Sequence, residues 1–149
     1  MGRTIGLLMA VFALWGMQGC GGSVSARGPV TIDQLTGIWE IMGSGTQNVG
    51  ANQGFGTCAI SFAGTITITA TSSESTGSVS MNRTNHTCTG DTPISDNGTL
   101  NVSLFGHGTL SLTSSGEAYE IQFSRSLEVA TFANITGGGV FTSGTAVSR

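Results

Sequence analysis

Residues 65–70 read Thr-Ile-Thr-Ile-Thr-Ala, with the isoleucines in one set of alternate positions and the threonines in the other. Successive side chains of an extended chain point to opposite faces. A segment of this kind is therefore a strand with one face in a core and the other in water. The same alternation returns at residues 100–104 (Leu-Asn-Val-Ser-Leu), 110–112 (Leu-Ser-Leu) and 119–123 (Tyr-Glu-Ile-Gln-Phe). It is weaker at Cys58-Ala59-Ile60-Ser61-Phe62 and Val79-Ser80-Met81. The inward set predicted from these runs is Ile60, Phe62, Ile66, Ile68, Leu100, Val102, Leu104, Leu110, Leu112, Tyr119, Ile121 and Phe123.

Turn-forming residues punctuate the runs: Ala63-Gly64, Ser75-Thr76-Gly77, Asn97-Gly98, Gly106-His107-Gly108, Ser115-Gly116, Ser124-Arg125-Ser126 and Gly137-Gly138-Gly139. Short strands at such spacing predict an all-β domain, an antiparallel meander of about eight strands closing into a small β-barrel. A β-sandwich is the alternative architecture. Closure is favoured because the chain has no lysine with which to guard open sheet edges. Residues 82–97, polar and containing Pro93, are expected to form an exposed loop tied down by Cys88. A membrane-spanning barrel is not expected: the predicted strands are too short, aromatics are only 7% of the chain, and Arg149 stands at the end.

Residues 1–19 have the character of an export signal. Arg3 precedes an apolar run, residues 5–15, of a length suited to a signal core and too short to span a bilayer. Met17-Gln18-Gly19-Cys20 then resembles the bacterial lipoprotein signal, in which the cysteine becomes acylated (a palmitate-type modification) and forms the new N-terminus. Cleavage after Val24-Ser25-Ala26 is the alternative. The resemblance implies a lipidated Cys20, a flexible tether through residue 29, and a β domain over residues 30–149. Gly21 follows the cysteine where inner-membrane lipoproteins usually carry aspartate. This implies an exported, lipid-anchored envelope protein, at the outer membrane if the source is Gram-negative.

With Cys20 so used, Cys58 and Cys88 remain and are expected to form one disulfide in an oxidising compartment. Without the signal, four arginines face eight acidic residues, a net charge of −4. Arg27, Arg83, Arg125 and Arg149 stand singly, so no nucleic-acid partner is expected.

Gly37-Ile38-Trp39 resembles the opening of the lipocalin and avidin type of β-barrel. In that group the glycine permits a tight start to the first strand and the tryptophan closes one barrel end. The resemblance implies that Gly37 and Trp39 mark a barrel end beside a ligand chamber, with Arg125 or Arg149 as the companion arginine. The tryptophans of a biotin pocket are lacking, so biotin is not implied.

Catalytic patterns are missing from the sequence. His86, Cys88, Asp91 and His107 do not have metal-ligand spacing. Serines occur outside any Gly-x-Ser-x-Gly elbow, and Glu117 and Glu120 fall on opposite faces of a strand. Gly137-Gly138-Gly139 leads into no helix that could hold a phosphate. No enzyme activity, metal or cofactor is expected. The expected function is that of a lipid-anchored structural or protein-interaction module. The alternative is a lipocalin-like binding protein for a small apolar ligand.

Overall fold

The computed structural model describes residues 29–49, 56–136 and 140–149. Cys20, the expected signal and all of the expected tether but Pro29 lie outside them, as does Gly137-Gly138-Gly139. A short 3₁₀ turn, Ile32–Leu35, precedes eight strands: β1 Gly37–Val49, β2 Gly56–Ala70, β3 Thr76–Thr87, β4 Gly90–Val102, β5 His107–Leu112, β6 Ala118–Phe123, β7 Val129–Asn134 and β8 Val140–Ser148. Each strand pairs antiparallel with the next, and β8 returns to β1, so the meander closes into a barrel. Closure removes the sheet edges for which the sequence supplies no guarding lysines.

The Thr-Ile alternation lies on β2, where Ile66 and Ile68 are buried and Thr67 and Thr69 exposed. Phe62 and Ile60 continue the inward row. The outward row carries Thr57, Ser61, Thr65, Thr67 and Thr69. Along β2, a polar outer row over an apolar inner one is the reverse of what a lipid-facing strand presents.

Three expectations need correction. Residues 82–97 are not an exposed loop: β3 runs to Thr87, a tight turn follows, and β4 begins at Gly90. Pro93 pairs opposite Thr84 within that hairpin. Two expected turns are strand interior, since Gly64 pairs with both Ile41 and Arg83, and Gly98 with both Val79 and Leu112. The strands are accordingly longer than expected, reaching 15 residues in β2. Leu104 is not inward. Strand β4 ends at Val102, and Leu104 sits in the following turn with 64% of its surface exposed.

One end of the barrel is plugged by the segment before β1. Val30, Ile32 and Leu35 are buried in the core cluster. The Ile32 N–H donates to the Glu74 carbonyl at 2.8 Å, and the Thr31 N–H donates to the Gln34 side chain at 3.2 Å. Gly37 then starts β1 with φ of 140°, a backbone state that side-chain-bearing residues rarely adopt. Two residues on, buried Trp39 donates its indole N–H to the Leu35 carbonyl at 2.9 Å and packs edge-on against Phe123 at 5.4 Å. Trp39 thus packs under the 3₁₀ turn at this end of the barrel.

Candidate functional site

The opposite end of the barrel holds the chemistry that the alternation did not reveal. Arg83 continues the inward row Val79, Met81 of β3, and its side chain is only 3% exposed. A guanidinium so placed has to find its partners inside the protein. It finds them across the barrel at β6. Nη2 donates to Glu117 Oε2 at 2.5 Å and Nη1 donates to the Tyr119 hydroxyl oxygen at 2.6 Å. The Tyr119 hydroxyl donates in turn to Glu117 Oε2 at 3.0 Å. The guanidinium also stands 5.2 Å from the Phe62 ring centre and 6.0 Å from that of Tyr119. Burial pushes the Tyr119 phenol up from its ordinary value, against the pull of Arg83 and with the help of Glu117.

Phe62 and Phe132 pack with ring centres 5.8 Å apart, and Tyr119 meets Phe132 edge-on. The void in the barrel interior, lined from Trp39 and Phe123 at the plugged end to Arg83 and Phe62 at the other, is about 30 Å³. That is room for one or two water molecules, whereas small-molecule chambers measure about 300–1,000 Å³. The barrel centre is therefore filled with side chains.

Three buried polar atoms at this end have no hydrogen-bond partner among the described residues: Arg83 Nε, Asn85 Oδ1 and Thr142 Oγ1. Asn85 lies opposite Phe62 on β2, and Thr142 opposite Gly45 on β1. Beyond them the wall is tied by the Cys58–Cys88 disulfide, with 5.9 Å between Cα atoms, joining β2 to the β3–β4 turn.

A second polar centre is Asp96, buried on β4. Its carboxylate accepts from the backbone N–H groups of Ser114 at 2.9 Å and Ser115 at 2.8 Å. Burial opposes its ionisation, but these amides outweigh that and hold the carboxyl well below the usual range. Asp96 fastens the β5–β6 turn to β4 and touches nothing that reacts.

The remaining sequence candidates disperse. His86 pairs with Asp91 at 2.8 Å across the β3–β4 hairpin, and His107 stands on β5. Among the described residues no group of three metal-ligating side chains forms. Glu120 faces outward on β6, opposite in sense to Glu117. Arg149 pairs with Glu40 on the outer wall, and Arg125 lies in the exposed β6–β7 turn, so neither joins the buried aromatic core as Arg83 does. Arg83, Glu117 and Asp96 were missed as site residues. The legible signal was parity: Val79, Met81 and Arg83 share one face, as do Glu117 and Tyr119.

Outside the barrel, Ile38 and Met42 on β1, Val129 on β7, and Phe141 and Val147 on β8 expose apolar side chains to solvent. These three strands are adjacent, and Val147 lies opposite Val129 on one side and Glu40 on the other.

The architecture defines a class: eight-stranded antiparallel up-and-down β-barrels. Within it the chain is similar to designed proteins. A redesigned barrel, mFAP1, bound to DFHBI, superposes with a TM-score of 0.55 at 18% identity, over 80% of this chain and 99% of that one. A de novo designed fluorescence-activating β-barrel gives 0.53 at 14% identity, over 79% and 96%. The redesigned barrel b11L5F_LGL gives 0.55 at 16% identity, over 81% and 96%. No protein-family model and no curated protein matches the chain.

Proposed function

We propose that the chain is a lipid-anchored envelope protein whose barrel acts through its outer surface, as an interaction module, rather than by carrying a ligand in its centre. The filled interior carries this reading: about 30 Å³ of void inside the barrel leaves no chamber for an apolar molecule. The exposed apolar side chains of β7, β8 and β1 supply a surface of the kind that mediates contacts between proteins. The signal-like residues 1–19 and Cys20 support export and anchoring.

Two measurements test it. In a bacterial host, alkyne-palmitate should label the wild type and not Cys20→Ser, and only the wild type should sediment with membranes. Trp39 emission should stay flat when the protein is titrated with fatty-acid-like probes. Labelling that survives Cys20→Ser sinks the anchor, and saturable quenching sinks the filled-interior reading.

A second reading is favoured by Arg83 Nε, Asn85 Oδ1 and Thr142 Oγ1. A small polar ligand held at this end would offer these one donor and two acceptors the partners they lack. Two of the similar designed barrels are bound to DFHBI. The space there admits only a molecule of a few atoms, so a change in the Arg83 Nε–H resonance on adding formate, abolished by Asn85→Ala, would favour this reading over the first.

A further inference from the structure

The turn between β4 and β5 exposes two adjacent large apolar side chains, Leu104 at 64% and Phe105 at 86%. Nothing in the turn itself requires this. Gly106 supplies the left-handed residue with φ of 78°, and its N–H bonds the Ser103 carbonyl at 3.0 Å, so any small polar pair would serve at its tip. The turn sits at the plugged end of the barrel. There the Val30 N–H donates to the Leu104 carbonyl at 3.2 Å, and a Cβ on Gly106 would lie 3.5 Å from Val30 Cγ2. The chain thus leaves the barrel beside the two exposed apolar residues, ten positions from Cys20.

We infer that Leu104 and Phe105 insert into the lipid bilayer that holds the protein, and so fix the plugged end toward the membrane and the Arg83 end away from it. The inference rests on the lipid anchor proposed above. Cys20 and Val30 are ten positions apart, which even a fully extended chain spans in at most about 35 Å, so an anchored Cys20 keeps the turn near the surface. Apolar side chains at an interface settle roughly 5–10 Å deep, at the boundary of headgroups and acyl chains. The neighbouring segments at this end carry Asp33 in the 3₁₀ turn, Glu74 before β3, Arg125 and Glu128 before β7, and the Glu40–Arg149 pair where β1 meets the end of β8. That balance is acidic, so attraction to anionic lipid is not what seats the turn; the two apolar side chains are.

The test uses the full lipidated chain reconstituted into phosphatidylcholine vesicles brominated near the headgroup end of the acyl chain. Phe105→Trp places a reporter in the turn, and Thr89→Trp places one in the exposed β3–β4 turn at the other end. Phe105→Trp should show blue-shifted emission and lose intensity to bromine, while Thr89→Trp should show neither. Equal quenching of the two, or none in either while the protein still sediments with the vesicles, would overturn the inference and leave the anchor standing. Failure of the lipidated chain to sediment with vesicles would overturn both.

Discussion

Arg83 on β3 and Tyr119 on β6 reach each other across the barrel, guanidinium to phenol oxygen at 2.6 Å, with Glu117 accepting from both. The three side chains form a closed triangle, with the guanidinium over the Phe62 ring. A buried ion pair of this kind is costly to break from one side, by about 3–5 kcal/mol, and much less costly to replace whole. Glu117 is partly open to water and Arg83 is not. Glu117→Gln, which strands the arginine, should therefore cost more than Arg83→Met, which strands the carboxylate. The double variant should be more stable than Glu117→Gln alone. Urea unfolding of the four proteins checks this, and simple additivity of the two single changes would show that the triangle is not coupled.

Asp96 makes stability depend on acid. Its carboxyl is held below the ordinary range in the folded state, so the unfolded chain takes up the proton first as pH falls. The contribution is fully present above the unfolded value of about 3.9 and is lost as pH drops below it toward the folded value. Asp96→Asn should cost about 1.5–3 kcal/mol at neutral pH, the worth of hydrogen bonds to a charged acceptor. It should also flatten the decline of melting temperature between roughly pH 5 and pH 2. Parallel curves for the two proteins would mean that another carboxylate governs the acid limb.

The Cys58–Cys88 bridge spans 30 positions. In the chain-entropy account, closing such a loop stabilises the fold by about 3–4 kcal/mol. Reduction, or the double change to alanine, should lower the melting temperature by roughly 10 °C in a domain of this size. Calorimetry with and without reductant provides the check, and the alanine variant should not respond to reductant at all.

The barrel was legible because buried apolar positions alternate with threonine, serine, glutamate, glutamine or alanine along much of β2, β5 and β6. The long β3–β4 hairpin was not. Asn82, Asn85, Pro93 and Asn97 carry weak strand propensity, and their place in the sheet is decided by pairing with neighbouring strands rather than by local preference. Glycine misled for the same reason. In Ala63-Gly64 and Asn97-Gly98 it reads as a turn, yet both glycines are strand residues paired on two sides. The Arg83 site stayed hidden because a lone arginine has the signature of a surface charge. Its burial depends on Glu117, 34 positions away, which no local pattern connects to it. Leu104 shows the converse, a residue in perfect alternation with Leu100 and Val102 that falls just past the end of its strand.

The plug at the Trp39 end offers a last prediction, because Ile32 packs where only a glycine at position 77 leaves room for it. A Cβ on Gly77 would stand 2.5 Å from Ile32 Cγ1 and 3.1 Å from the Thr69 carbonyl oxygen, and Ile32 is wholly buried. Gly77→Ala therefore has to push Ile32 outward, at a cost of about 1–3 kcal/mol for overpacking. The displacement propagates along the 3₁₀ turn to Leu35, whose carbonyl accepts the Trp39 indole N–H. Loosening that bond should admit water to Trp39 and shift its emission to the red. Ile32→Ala, which removes both Cγ1 and Cδ1, the two atoms that would crowd the new Cβ, should cost less stability in the Gly77→Ala background than in the wild type. If Gly77→Ala left emission and melting temperature unchanged, the 3₁₀ turn would not be packed on β3 as described, and Trp39 would need some other source of its burial.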